Sequence, residues 1–319
     1  MAFFEREFRP GGRYIYRIAG KRVFSTHRTQ VRDSAHKGRP VLVVRIPRGD
    51  IGLFNHFAFN LGWMRWAEER GCGCYVDMRT PSNIFTRTAA IDFNPWDLYF
   101  RQSCDAADIA DARKVLTTVG HCTPPDFPGV FLSLCDQENP DFLFWRKFTH
   151  EHISFTEEIA GEIAARQADL FGGETRVLGC LVRGTDYTRM KPLYHPVQPT
   201  PLQVLADARR ICAERGLRKV FLATEDRSVR DLFRREFGDD LLQSQTEVPD
   251  YTSGYLANSG ALGDLSRTLL ISRQYLVSIA ILARCPCLLA GCASGSMGAA
   301  LLSEGFELMQ FYRLGYYGQ

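Results

Sequence analysis

Arg176-Val177-Leu178-Gly179-Cys180-Leu181-Val182, running straight into Arg183-Gly184-Thr185-Asp186-Tyr187, is the stretch on which the fold turns. An apolar run of this length, with no polar alternation, reads as a strand buried on both faces, and so as part of a parallel sheet. The charged and small residues after it mark where the strand opens into a loop. Downstream, the pattern predicts a helix over 201–215 closed by Gly216, a strand over 219–223, and a helix over 228–237 closed by Gly238. A helix over 267–284, a strand over 287–290 and a helix over 296–303 complete it. Alternation of this kind specifies a doubly wound parallel sheet.

Upstream, 153–171 reads as a helix with Thr156 near its start and Gly172-Gly173 after its end. The break between two lobes is placed there, giving an N-terminal lobe over 1–172 and a C-terminal lobe over 173–319. The first lobe opens with a recognisable βαβ unit. Val41-Leu42-Val43-Val44-Arg45-Ile46 is a β-branched run ending in turn chemistry at Pro47-Arg48-Gly49-Asp50. Leu53, Phe57, Leu61 and Met64 then recur at helical spacing, Gly71 stops the helix, and Cys74-Tyr75-Val76-Asp77 is the next strand. The loop around 49–55 therefore sits at the carboxyl end of a strand, where open α/β sheets bind ligands. Residues 80–148 are aromatic and broken by Pro95 and Pro124-Pro125, and no element is assigned to them.

At 319 residues the chain is long enough for two domains. Its net charge of +3 is unevenly spread, because 1–48 holds twelve Lys or Arg against Glu5, Glu7 and Asp33. A basic segment of that kind either stays solvated or rests against anionic lipid or a phosphate-bearing acceptor. Residues 1–10 carry Glu5, Arg6, Glu7 and Arg9 where a signal peptide needs an apolar core, which predicts a cytoplasmic protein, peripheral at the inner face of the membrane if the basic segment engages lipid. The ten cysteines have no zinc-ligand spacing and read as reduced core residues.

Three predicted strand ends in the second lobe carry candidate chemistry. After the first, Arg183 offers a planar fork of donors for phosphate oxygens, and Gly184 lets backbone N–H groups approach a ligand. An Arg183–Asp186 ion pair closing a turn is the structural alternative. After the second, Thr224, Glu225 and Asp226 place two carboxylates where they either accept hydrogen bonds from a ribose or base, or stabilise the next helix start. After the third, Gly291-Cys292-Ala293-Ser294-Gly295-Ser296 opens a helix whose N–H groups and hydroxyls suit a diphosphate, tight helix packing being the alternative. No P-loop, no G-x-G-x-x-G after a strand and no D-x-D pair is present, so a metal-dependent sugar transferase loses support.

In this order, Arg183 to Tyr187, Phe221-Leu222-Ala223-Thr224-Glu225-Asp226 and Gly291 to Ser296 resemble the donor lobe of the fucosyltransferase superfamily. That group holds bacterial α1,2-, nodulation and core α1,6-, and protein O-fucosyltransferases. The block Lys191-Pro192, His195-Pro196, Gln198-Pro199-Thr200 is similar to bacterial transferases of surface polysaccharide clusters. The resemblance implies a GT-B fold, two Rossmann-like lobes facing across a cleft, and inverting transfer without a metal or cofactor. It implies a GDP-sugar donor, GDP-fucose first, with another deoxyhexose or a heptose open because Leu181 and Gly184 stand where the family has His and a second Arg.

By the same resemblance, Arg183 holds the diphosphate, Asp226 lies near the guanine, and Ser294, Gly295 and Ser296 lie near the β-phosphate. Thr185, Tyr187, His195, Thr224 and Glu225 join the donor set, and Asp50, Asn55 and His56 the acceptor side. Asp50, His56, Asp186 and His195 are candidate general bases, Asp186 first. The acceptor is a glycan or a lipid-linked glycan in polysaccharide biosynthesis, and nucleic acid is not a partner. The alternative function is a non-catalytic nucleotide-sugar or glycan-binding protein.

Overall fold

The structure is a computed structural model and describes residues 4–9, 13–18, 21–24, 29–80, 82–86, 90–119, 123–184, 190–244 and 263–319, the first three stretches by backbone course alone. Its contacts divide it into two compact units, Met1–Gly129 with His152–Thr156, and Val130–Glu151 with Glu157–Gln319.

The first unit begins with an antiparallel meander of β1 (Phe4–Arg9), β2 (Arg13–Ile18) and β3 (Lys21–Phe24). A second sheet is built from β4 (Thr29–Asp33), β5 (Val41–Val44), β6 (Gly73–Val76) and β7 (Lys114–Thr118), in the order β4-β7-β5-β6. β5 pairs in parallel with β6 and β7, and β4 runs antiparallel along the edge. Helix α1 (Leu53–Glu68) joins β5 to β6 and buries Phe54, Phe57, Leu61, Trp63 and Met64. Its end follows the expected chemistry, since Gly71 takes a positive φ of 64°. On the other face, Val41, Val43 and Val115 pack with Cys104, Ala112 and Ile109, the last from the short helix α2 (Ala106–Asp111). The rings of Trp96, Phe57 and Phe155 gather around that of Phe100, so the aromatic stretch that resisted assignment packs against α1.

The second unit is the doubly wound sheet. After α3 (Pro140–His152) and α4 (Glu157–Phe171) come β8 (Val177–Leu181), α5 (Pro201–Arg215), β9 (Lys219–Ala223), α6 (Arg227–Phe237), β10 (Leu241–Leu242), α7 (Leu265–Leu282), β11 (Cys287–Gly291), α8 (Ser294–Leu302) and β12 (Leu308–Tyr312). All pairings are parallel in the order β10-β9-β8-β11-β12. Leu178 and Cys180 meet Val204, Ala208, Ile211 and Phe233 of α5 and α6 on one face. A Cβ at Gly179, which points the other way, would meet Leu282 and Cys285 at 3.0–3.2 Å, so α7 closes the opposite face. Each fully buried aliphatic chain in these layers contributes about 1.5–3 kcal/mol. By length and composition α7 could cross a membrane, but Leu276, Ile279 and Leu282 are buried in the protein, which identifies it as a core helix.

The units do not divide at 172/173. α4 belongs to the second unit, because Phe171 lies 6.2 Å from the Phe221 ring of β9 and Arg273 of α7 bonds both Glu158 and Glu162, at 2.6 and 2.5 Å. A glycine pair that ends a helix does not by itself end a domain.

Candidate nucleotide-sugar site

In the second sheet the strand order reverses between β8 and β11: the chain builds outward from β8 to β9 and β10, then returns to the other side of β8 with β11 and β12. Ligands of open α/β sheets bind at such a switch point, beyond the carboxyl ends of the strands. Leu181 pairs with Ala223 on one side and Ala290 on the other, so the three strands end level. With neighbouring strands about 4.8 Å apart, the loops after β9, β8 and β11 emerge side by side. The three segments singled out in the sequence share this edge.

Arg183 leaves the end of β8 largely buried, with its side chain 14% exposed, and its Nε lies 3.3 Å from Oε1 of Glu225, itself 8% exposed. The same oxygen accepts the backbone N–H of Gly184 at 3.2 Å. One buried carboxylate therefore fixes both the guanidinium and the backbone that follows it. A Cβ at Gly184 would meet the Cβ and Cγ of Asp226 at 2.5 and 2.7 Å, so glycine is needed to let the two loops touch. Asp226 caps α6: its Oδ1 accepts from Ser228 N–H at 2.8 Å and from the Ser228 hydroxyl at 2.6 Å. The Thr224 hydroxyl accepts the Asp226 N–H at 3.2 Å. In the described residues the turn is closed by Arg183–Glu225, and Asp186, the partner considered from sequence, lies outside them, as do Thr185 and Tyr187.

Across the switch point, α8 starts at Ser294, one turn after β11. N–H groups in the first turn of a helix have no intrahelical acceptor, and the helix dipole places positive potential there. Ser296 differs from its neighbours. It is fully buried, its hydroxyl donates toward Gly291 O at 2.6 Å and Ala293 O at 2.9 Å, and it accepts Ala293 N–H at 2.9 Å. The Ser296 hydroxyl is thus a clamp on its own loop and not a group that faces a ligand, a correction to the sequence reading. Ser294 is half-buried at the helix start. A Cβ at Gly295 would collide with the Tyr275 hydroxyl of α7, so any larger residue there must displace that ring.

Sequence reasoning missed a segment that supports the β11–α8 loop. Residues 190–200 fold back against the C-terminal tail, where Pro196 bridges Tyr316 and Val197 N–H bonds Gly315 O at 3.0 Å. Gln198, 6% exposed, donates from Nε2 to Cys292 O at 2.9 Å and to Pro196 O at 3.1 Å. It thereby holds the β11–α8 loop. The Gln-Pro-Thr sequence was the available signal, Thr200 capping α5 through Gln203 N–H at 3.2 Å. His195 is partly buried, and burial lowers its pKa. The Cys292 thiol is held well above the usual range by its hydrogen bond with Cys135, 3.1 Å away, and by burial, which leaves it a poor nucleophile.

No protein-family model matches the sequence, and no curated protein matches it. Solved structures do. NodZ alpha-1,6-fucosyltransferase soaked with GDP-fucose superposes with a TM-score of 0.50 over 84% of this chain and 93% of that one, at 16% identity. The chain shares the fold of that structure. Fucosyltransferase NodZ from Bradyrhizobium matches at 17% identity, 84% and 94% coverage and a TM-score of 0.45, and POFUT1 in complex with GDP at 11%, 89% and 100%, and 0.47. The fold assignment rests on the first of these, and it agrees with the GT-B class expected from the sequence.

On the first unit, the residues expected from the sequence to lie on the acceptor side follow β5. Asp50 is bound by Arg48, whose Nε donates to Oδ1 at 2.6 Å, with a second contact from Nη2. Asn55 sits in the first turn of α1, its N–H bonded to Gly52 O at 3.0 Å. His56 is 1% exposed with Nε2 3.2 Å from Arg48 O, and burial pushes its pKa down to about 4 against the counter-effect of that bond. It supports the loop from below, so it is corrected from a ligand-facing candidate to a structural one. Asp50 alone among the three presents a half-exposed carboxylate.

Proposed function

We propose that the protein is an inverting glycosyltransferase that moves a sugar from a GDP-sugar, L-fucose first, onto a glycan or lipid-linked glycan acceptor. The observation that carries the reading is the placement of Arg183 and the start of α8 on the two strands that flank the switch point. A guanidinium held by a buried carboxylate and a set of outward N–H groups are what a departing diphosphate requires: fixed positive potential that needs no reorganisation as charge develops. The NodZ structure that shares this fold was soaked with GDP-fucose, which supports the choice of donor.

In this mechanism the acceptor hydroxyl attacks the anomeric carbon as the bond to the β-phosphate oxygen breaks, and the nucleoside diphosphate leaves with the electron pair. Arg183 donates to the pyrophosphate, Glu225 orients Arg183, and the Ser294 and Gly295 N–H groups complete the cradle. Neutralisation by these groups is the proposed substitute for a metal. The attacking hydroxyl gives its proton to a carboxylate, Asp186 being the first candidate. Placement in the cytoplasm, with the basic segment 1–48 resting on anionic lipid near polysaccharide synthesis, is part of the proposal and rests on charge alone.

The test is release of GDP from GDP-fucose in the presence of an acceptor glycan panel. Turnover that is lost in Arg183→Ala, with the fold intact by circular dichroism, supports the assignment. Binding of GDP-fucose without turnover on any acceptor identifies a sugar-nucleotide-binding protein instead, and full turnover by Arg183→Ala removes Arg183 from the site.

A further inference from the structure

A cavity lies on the first unit. Beside α2, whose Ile109 lines one side, the face of β4, β7 and β5 forms a cavity of about 340 Å³, within the range of small-ligand sites. Its floor is apolar, from Val43 and Val115, and its rim carries Gln30, Thr117 and two arginines, Arg32 and Arg45. No carboxylate lines it.

Arg45 is built in rather than loosely exposed. Its backbone N–H donates to the Thr118 hydroxyl at 2.7 Å and that hydroxyl returns to Arg45 O at 2.7 Å, which pins the residue just beyond β5. Its side chain donates from Nε to Asp77 Oδ2 at 3.0 Å, and Nη2 lies 2.9 Å from the same oxygen. Asp77 is 2% exposed and also binds Arg79, whose Nε meets Oδ1 at 2.9 Å. Burial works against the Asp77 charge, but the hydrogen bonds from Arg79 and the two guanidinium charges outweigh it and hold the pKa below the usual value. One carboxylate thus serves two guanidiniums, and the trio keeps one net positive charge. Arg45 remains 42% exposed in its side chain while fixed in place.

Arg32 supplies the second cation from the edge strand. It pairs with Val115, which pairs with Val41, four residues before Arg45. By strand geometry the two arginines are rooted about 13 Å apart along the sheet and two strand spacings apart across it. Between them lie an apolar floor, a hydroxyl and an amide. Apolar ring contact, hydroxyl partners and flanking cations are together the complement of a sugar that carries an acid group.

We propose that this cavity binds an acidic sugar unit, a uronate or a hexose phosphate, through Arg45 and Arg32. The inference does not depend on the donor reading, since none of the residues involved belongs to the second unit. It is tested by isothermal titration of the full chain, without nucleotide and at low salt, with D-glucuronate, glucose 1-phosphate and D-glucose. The expected result is saturable binding of at least one acid sugar, no binding of glucose, and a tenfold or greater loss in Arg32→Gln and in Arg45→Gln; the tighter of the two acid sugars names the group recognised. Absence of binding by both acid sugars, equal binding of glucose, or unchanged affinity in both variants overturns the proposal. Should Arg45→Gln fail to fold with Asp77 half-released, Arg32→Gln on the exposed strand decides alone.

Discussion

Glu225 does more for the site than the ligand-binding role its sequence position suggested. It accepts the Gly184 N–H and lies 3.3 Å from Arg183 Nε, so its removal takes an opposing charge away from a buried guanidinium. Glu225→Gln keeps the shape and one acceptor but loses the charge, and the expected outcome is a ten- to hundredfold fall in kcat/KM with smaller change in stability, measured by steady-state kinetics and thermal melts. Gly184→Ala tests the close approach to Asp226: the added methyl group is expected to destabilise the fold by about 1–3 kcal/mol in denaturant titration. His56 carries a pH signature. Its folded pKa of about 4 lies below the ordinary 6.5, so between these values the unfolded chain takes up a proton that the folded chain refuses. Stability from this residue is complete above about pH 6.5 and is lost as the pH falls toward 4, by an amount on the order of 3 kcal/mol. A urea series from pH 7.5 to 4 is expected to show this slope in the parent and not in His56→Gln.

At the level of elements, the start of α8 is set by packing from behind. Gly295→Ala drives a methyl group into the Tyr275 hydroxyl, and the expected outcome is a loss of about 1–3 kcal/mol together with weakened donor binding. Adding Tyr275→Phe removes the obstructing oxygen and is expected to restore part of both, which a double-mutant cycle in thermal melts resolves. The helices and strands of the second unit were legible because their signals are local: Thr200, Gly216 and Gly238 cap helices where the sequence places those ends, and β9 runs over the residues expected. β12 and β7 were not, because Leu308–Tyr312 and Lys114–Thr118 lack an uninterrupted apolar run and become strands only by pairing with β11 and β5. α3 was hidden by its clustered aromatics, whose spacing makes sense once Phe142, Trp145 and Phe148 are seen on one buried stripe.

For the molecule as a whole, charge and loops spoke early while the support of the site did not. Arg183, Glu225 and Ser294 were readable as polar residues after buried strands. Gln198 and the inward turn of Ser296 were not, because which hydroxyl or amide faces a ligand depends on contacts between segments far apart in the chain, as between Gln198 and Cys292. The central claim is that Arg183 and the start of α8 grip one pyrophosphate, and titration calorimetry with GDP, GMP and guanosine on the parent chain and on Arg183→Ala tests it most directly. The account predicts GDP binding tightest, a loss of about 1.5–3 kcal/mol or more in Arg183→Ala with GDP, and little effect of that substitution on guanosine. Equal affinity of the parent and Arg183→Ala for GDP, or no preference for GDP over guanosine, would contradict it.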